Sequence, residues 1–160
     1  MILSGPSGPP PALPEPSKLS ATIVDELTKR LLTSLRYKTT WPSDQDRTEA
    51  RRWLEPARFR ARRALAPAEP EHIIKAIETL ADTLQTGTPE QNGQLVYIGL
   101  LQQVPYLALR VGCVELLKTF AYPRLPYPAE ILAACGPAHA ELQFWAQSVD
   151  RAIALLEKPS

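Results

Sequence analysis

At 160 residues, with 17 prolines, 44% hydrophobic residues and a formal net charge of +1, the chain is sized for one ordinary core and is too short for two full domains. The near-neutral total excludes a strongly basic or acidic protein, yet it sums unlike parts. Residues 1–46 carry five basic and five acidic side chains, residues 47–63 carry seven arginines against Glu49 and Glu55, and residues 64–160 carry six basic against ten acidic groups.

The opening "MILSGPSGPPPALPEPSK" is dominated by proline, glycine and serine. It holds too little apolar surface to offset the entropy of ordering it, so residues 1–18 are expected to form a disordered arm. Pro9 to Pro11 suit an aromatic-lined groove on a partner, or the arm simply solubilises. From Ser20, a candidate N-cap, Ile23, Val24, Leu27, Leu31, Leu32 and Leu35 recur at helical spacing. That helix should fade over Tyr37 to Thr40, because Trp41 precedes Pro42 and is pushed towards extended geometry.

A charged helix is expected from Ser43 or Asp44, with Pro56 starting a second segment or a kink, and an end before Pro67. Residues 19–66 thus form an N-terminal helical unit and residues 67–158 a helical core module. Glu69 to Glu71 favour a helix start there, with Ile73, Ile74, Ile77, Leu80, Ala81 and Leu84 as its buried stripe and Gly87 as its closing glycine. Next, Thr88 as N-cap, Pro89 at the first helical position and Gln91 at the capping-box position predict another helix. Its Leu95, Val96, Ile98, Leu100 and Leu101 are apolar on more than one side, which predicts the central, most buried element. Pro105 opens a further helix to about Thr119.

Pro123, Pro126 and Pro128 then punctuate "FAYPRLPYPAEILAAC". A short helix is expected over Pro128 to Cys135, closed by Gly136, followed by a last amphipathic helix carrying Leu142, Trp145, Val149, Ile153 and Leu156. Between its flanking helices the proline gap reads as a loop, with Tyr122 and Tyr127 packing over the core edge. No segment alternates with a period of two, so the fold class is all-α: a compact multi-helix bundle with a helix-turn-helix-like proline-turn module and a disordered N-terminal arm.

The sharpest chemical feature is "RTEARRWLEPARFRARR". Arginine forks suit phosphate, and Trp53 and Phe59 suit stacking on unpaired bases, so Arg51, Arg52, Trp53, Arg58, Phe59, Arg60, Arg62 and Arg63 form the candidate nucleic-acid surface. The competing readings are a solvated face laced with Glu49 and Glu55, or an arginine surface for an acidic protein. If this helix docks on the domain, several arginines must pair with the acidic C-terminal part.

Catalysis needs a nucleophile and base, a carboxylate pair or a cofactor loop, and none can be named. Glu90, Glu115, Glu130 and Glu141 read as solvated helix-surface groups, and His139 as a surface group. Cys113 reads as a small core residue. Cys113, Cys135, His72 and His139 lack zinc-type spacing, and no Walker-type loop is present. Neither enzyme activity, cofactor nor metal is expected. No apolar run is long enough to span a bilayer and no charged n-region is followed by an apolar h-region, so no membrane partner and a cytoplasmic location with reduced thiols are expected.

The run from about residue 71 to residue 135 resembles a helical module of phage replicative-helicase loaders and related phage replication proteins. There, a helix with an "L-Y-x-x-x-L" type pattern leads to a second helix, an aromatic and proline-rich turn, and a short helix. In "LVYIGLLQQVPYLALRVGCVELLKTFAYPRLPYPAEILAAC", Tyr97, Leu100 and Leu101 stand on the first helix, Val104-Pro105 makes the turn, and Arg124 to Ile131 cover the proline turn and the start of the short helix. Leu125 replaces the usual aromatic residue, and Tyr127 stands where a second proline or a small hydroxyl residue is common. The resemblance implies a non-enzymatic adaptor in a bacterial host cell. Such an adaptor binds a replicative helicase, with Tyr122, Arg124 and Tyr127 as candidate partner-binding residues, and helps place it on single-stranded DNA. The alternatives are a phage structural or host-takeover interaction protein and a stand-alone DNA-binding regulator; no pattern fixes an oligomeric state.

Overall fold

The computed structural model describes residues 19–37 and 43–157, so the expected arm at 1–18 and the break at Trp41-Pro42 lie outside the described residues. Among these residues it is all-α: a short 3-10 turn at Ser20–Thr22, then α1 (Glu26–Tyr37), α2 (Asp44–Ala64), α3 (Pro70–Leu84), α4 (Gln91–Leu101), α5 (Tyr106–Thr119) and α6 (Pro128–Glu157).

The first helix starts later than Ser20. Ile23 and Val24 are buried, but from the turn rather than from a helix face. Asp25 makes the cap, accepting the Thr28 amide at 2.7 Å; Thr28 hydrogen bonding holds its carboxyl below the usual value. Of the expected stripe, Leu32 is buried and Leu31 half-buried, while the side chains of Leu27 and Leu35 lie outside the described ones.

Helix α2 begins as expected, with the Ser43 hydroxyl accepting the Asp46 amide at 3.2 Å. It then runs unbroken through Pro56. Proline removes a helical hydrogen bond by leaving the carbonyl four residues earlier without its donor. Pro56 and Arg52 are both exposed, so water can satisfy that carbonyl, and Ala50, Leu54, Ala57, Ala61 and Ala64 stay buried along the opposite face.

Glu69 caps α3, and the His72 ring reaches back so that its Nδ1 accepts the Glu69 amide at 3.1 Å. Gln85, not Gly87, closes the helix, in the left-handed region with φ of 55°. The closing turn has to follow Leu84 directly, and Gly87 comes two residues too late. Helix α4 likewise starts at Gln91 behind Glu90 instead of Thr88. Nor is it the central element: only Tyr97 and Leu101 are buried, while Leu95, Val96 and Leu100 face outward. Two short loops tie its C-terminal end to α2, since Ala68 donates to the Val104 carbonyl at 2.9 Å and Tyr106 to Ala66 at 3.2 Å.

The central element is α6. The expected short helix and final helix are one, continuous through Gly136 and Pro137. Eight of its buried residues, Ile131, Cys135, Ala138, Leu142, Trp145, Val149, Ala152 and Leu156, step alternately by four and three, with Ala146 and Ile153 buried beside them, the seam of a helix buried against neighbours along its whole length. Pro137 and Ala133, whose carbonyl it leaves without a donor, are both exposed. The break therefore faces water, and the seam offsets its cost. Helices α5, α2, α4 and α1 all pack on this spine, and residues from both the 19–66 and the 67–158 segments share one buried cluster.

Helices α5 and α6 come so close that a side chain is excluded between them. A Cβ placed on Gly112 would stand 2.6 Å from Cys135 Sγ, 2.8 Å from its Cα and 2.9 Å from its amide nitrogen. Backbone cannot move aside as a flexible side chain can. Gly112→Ala, which helix propensity alone would favour, is therefore expected to destabilise by about 1–3 kcal/mol through overpacking. Gly136, where an added Cβ meets nothing within 4 Å, is expected to gain up to ~1 kcal/mol as alanine. Urea denaturation of the two variants against the parent checks the opposite signs.

Candidate partner-binding loop and arginine surface

Residues 120–127 connect α5 to α6 and close over the end of α4. Tyr97, buried on α4, donates its hydroxyl to the Pro126 carbonyl at 2.6 Å. Burial pushes the Tyr97 phenol up, and the hydroxyl stays a donor at neutral pH. The start of α6 supplies a second anchor, with Glu130 at the third helical position accepting the Tyr127 amide at 2.8 Å.

Between these anchors stands Arg124. Its guanidinium donates to both Glu130 oxygens, at 2.7 and 3.3 Å, and its central carbon lies 3.9 Å from the Tyr127 ring centroid, 4.9 Å from Tyr122 and 5.3 Å from Phe120. Phe120 meets Tyr122 edge-on at 5.3 Å. The planar fork thus serves a carboxylate with its edge and aromatic rings with its face. The three expected partner-binding residues, Tyr122, Arg124 and Tyr127, come together here.

Their burial differs from the expectation. Tyr122 and Tyr127 do not pack over the core edge but remain 60% and 58% exposed, because the rings are turned to the guanidinium. Phe120 and Glu130 are the members that sequence reasoning missed. Glu130, read as a solvated surface group, is instead the hub of the loop. The signal for it was present in the spacing: in "YPAE" a glutamate follows its N-cap by three residues, with proline first in the helix.

The arginine stretch is divided by the geometry of α2. Its two flanks meet the domain: on one, Arg58 Nε lies 3.6 Å from Asp150 Oδ1 and Arg51 donates to the Leu156 carbonyl at 3.5 Å; on the other, Arg60 donates to the Ile23 carbonyl at 3.0 Å. Docking therefore draws Arg58 to an acidic residue of α6, while Arg51 and Arg60 go to main-chain oxygens. Arg52, Arg62 and Arg63 are exposed, as are Trp53 at 41% and Phe59 at 61%. Arg63 lies over the Phe59 ring at 6.0 Å. The eight residues do not share one surface; Arg52, Phe59 and Arg63 share the outward crest, Arg62 borders it, and Trp53 lies on another side.

Among the described residues no group of three or more histidine, cysteine, aspartate or glutamate side chains stands together to hold a metal ion. Burial pushes the Cys113 thiol up to about 11, and burial, then the neighbouring Cys113, pushes Cys135 up to about 12, which keeps both as unreactive thiols at neutral pH. His139, read as a surface group, is half-buried within α6. No helix among the described residues is long and apolar enough to cross a membrane.

The class that this geometry defines is an all-α bundle on a helical spine, with an aromatic–arginine loop at one end. No family model matches the chain, and comparison with curated proteins and with solved structures finds no match.

Arg124, then the Tyr127 amide, holds the Glu130 carboxyl below the usual carboxylate value. A depressed carboxylate contributes its contact fully above the unfolded value of about 4.3 and loses it as pH falls through the lower folded value. The Tyr122 and Tyr127 ring resonances are accordingly expected to hold steady from neutral pH down to about 4 and to shift only below it, as an NMR titration will show. Tyr97→Phe leaves the Pro126 carbonyl without its buried donor and is expected to cost about 1–2 kcal/mol, with faster hydrogen exchange confined to residues 121–127.

Proposed function

We propose that the chain is a non-enzymatic helical adaptor that docks on another protein through the loop formed by Phe120, Tyr122, Arg124 and Tyr127. Its partner, on this reading, is a replicative helicase, which it helps to place on single-stranded DNA during phage or prophage replication. The observation that carries the docking surface is the pre-assembled cluster itself. Tyrosine and arginine are the residues that concentrate binding energy at protein interfaces. Here two exposed tyrosines and one arginine are already held by Tyr97 and Glu130, so little ordering entropy remains to be lost on docking. The helicase is suggested by the resemblance of residues 71–135, in which this loop is the proline turn.

The exposed Arg52, Arg62 and Arg63, with Phe59 between them, support a contact to the phosphates and bases of an unpaired strand. Arg51, Arg58 and Arg60 are left out of that surface because the domain already engages them.

Light scattering coupled to size-exclusion chromatography, on the protein mixed with replicative helicases with and without a single-stranded oligonucleotide, tests the reading. A complex of defined stoichiometry is expected, weakened at least tenfold by Tyr127→Ala. No complex and no effect on helicase loading would overturn it, and sequence-selective duplex binding in its place would point to a stand-alone regulator. Replacing Arg52, Arg62 and Arg63 together by alanine is expected to lower the slope of log affinity against log salt by about 2 for single strands. Replacing Arg58 should leave that slope unchanged.

A further inference from the structure

We propose that the chain's own proline-rich start, Pro6 to Pro11, docks across Tyr122 and Tyr127 and screens the loop at residues 120–127 from its partner. The segment "PSGPPP" is rich in the residue whose fixed φ favours the polyproline II helix. Such a helix makes no internal hydrogen bonds, so its carbonyls are left to accept from tyrosine hydroxyls, and aromatic-lined surfaces are what bind it.

The molecule offers one such surface. Among the described residues the exposed large aromatic side chains are Trp53, Phe59, Tyr106, Tyr122, Tyr127 and Phe144. Trp53 and Phe59 lie on different sides of α2, Tyr106 is stacked on His72 at 4.2 Å, and Phe144 meets the buried Trp145 edge-on at 5.1 Å. Tyr122 and Tyr127 alone stand as an exposed pair, both held by the Arg124 guanidinium, 4.9 Å from one ring and 3.9 Å from the other. The two ring centroids therefore lie no more than about 9 Å apart, the rise of one three-residue polyproline turn.

The length of chain before Leu19 selects Pro6 to Pro11 as the occupant. Leu19 is half-buried and Ser20 buried, which fixes where the segment leaves the domain. Arg60 donates to the Ile23 carbonyl and Arg58, two residues earlier, meets Asp150, so this root stands about level with Asp150 of α6. The loop ends at Pro128, 22 residues and about 33 Å away along that helix at ~1.5 Å per residue. Pro6 to Pro11 stand thirteen to eight residues before Leu19 and so span about 25–40 Å at ~3.1 Å per residue. Pro14 and Pro16, five and three residues before it, span about 9–16 Å and fall short. The contact itself is independent of what the loop binds; its consequence, competition with a partner, rests on the proposed docking role of the loop.

A nitroxide attached at Ser7→Cys in the full chain tests the contact by paramagnetic broadening of NMR signals. Cys113 and Cys135 react poorly, and the parent carried through the same labelling is the blank. The amide and ring signals of residues 120–127 are expected to lose at least half their intensity, to the same extent at every protein concentration. Replacing Pro9, Pro10 and Pro11 together by serine should restore them. Broadening centred elsewhere, or surviving that triple replacement, overturns the contact; broadening that grows with concentration assigns it to another copy and overturns it equally. The triple variant is further expected to bind a replicative helicase at least threefold more tightly than the parent. Equal affinity overturns the screening. No helicase binding by either chain sinks the helicase reading instead, while the broadening still decides the contact.

Discussion

Everything in this molecule is hung on the buried seam of α6. A thirty-residue helix carrying both a glycine and a proline near its first third is poorly stabilised by propensity alone. It holds because its apolar residues keep one phase from Ile131 to Leu156 and four other helices cover them. Trp145, 1% exposed, sits well along this seam, and Gly112 lets α5 approach close enough to bury Cys135. With the spine intact, the positions of α1, α2, α4 and α5 follow from their own apolar faces.

The loop at residues 120–127 inherits its order from that spine. Helix α6 begins at Pro128, so Glu130 is fixed on its first turn, and α4 lies against α6 with Tyr97 directed at the Pro126 carbonyl. Arg124 then has one carboxylate and three rings within reach. A proline-rich connection that would otherwise sample many conformations becomes a shaped, half-aromatic surface. The proposed adaptor role uses this surface.

Clustering in sequence did not mean clustering in space for the arginines. Seven of them fall within residues 47–63, but a helix distributes neighbours around its axis. One flank of α2 meets α6, another meets the turn at Ile23, and the crest faces solvent. Arg58 and Arg60 therefore serve the fold, while Arg52 and Arg63 are left to meet a ligand. The ion pair of Arg58 with Asp150, both partners partly exposed, is of the kind that contributes little stability, roughly 0–1 kcal/mol.

The sequence by itself determined the all-α class, the amphipathic stripe of α3, the start of α2 at Ser43 or Asp44 and the start of α5 behind Pro105, because helical periodicity and the punctuation of helix ends are local properties. It also placed Tyr122, Arg124 and Tyr127 together, being neighbours in one short loop. Tertiary structure alone decided which local breaks were overruled. Pro56 read as a second segment or a kink and Gly136 as a stop, and each was carried through by an apolar face unbroken on both sides; that unbroken phase was legible, but its energetic weight depends on what covers it. Likewise α4 looked central because leucine, valine and isoleucine report hydrophobicity and not contact. Which side of a helix is buried is settled by its neighbours, and here α3 and α6 cover only one.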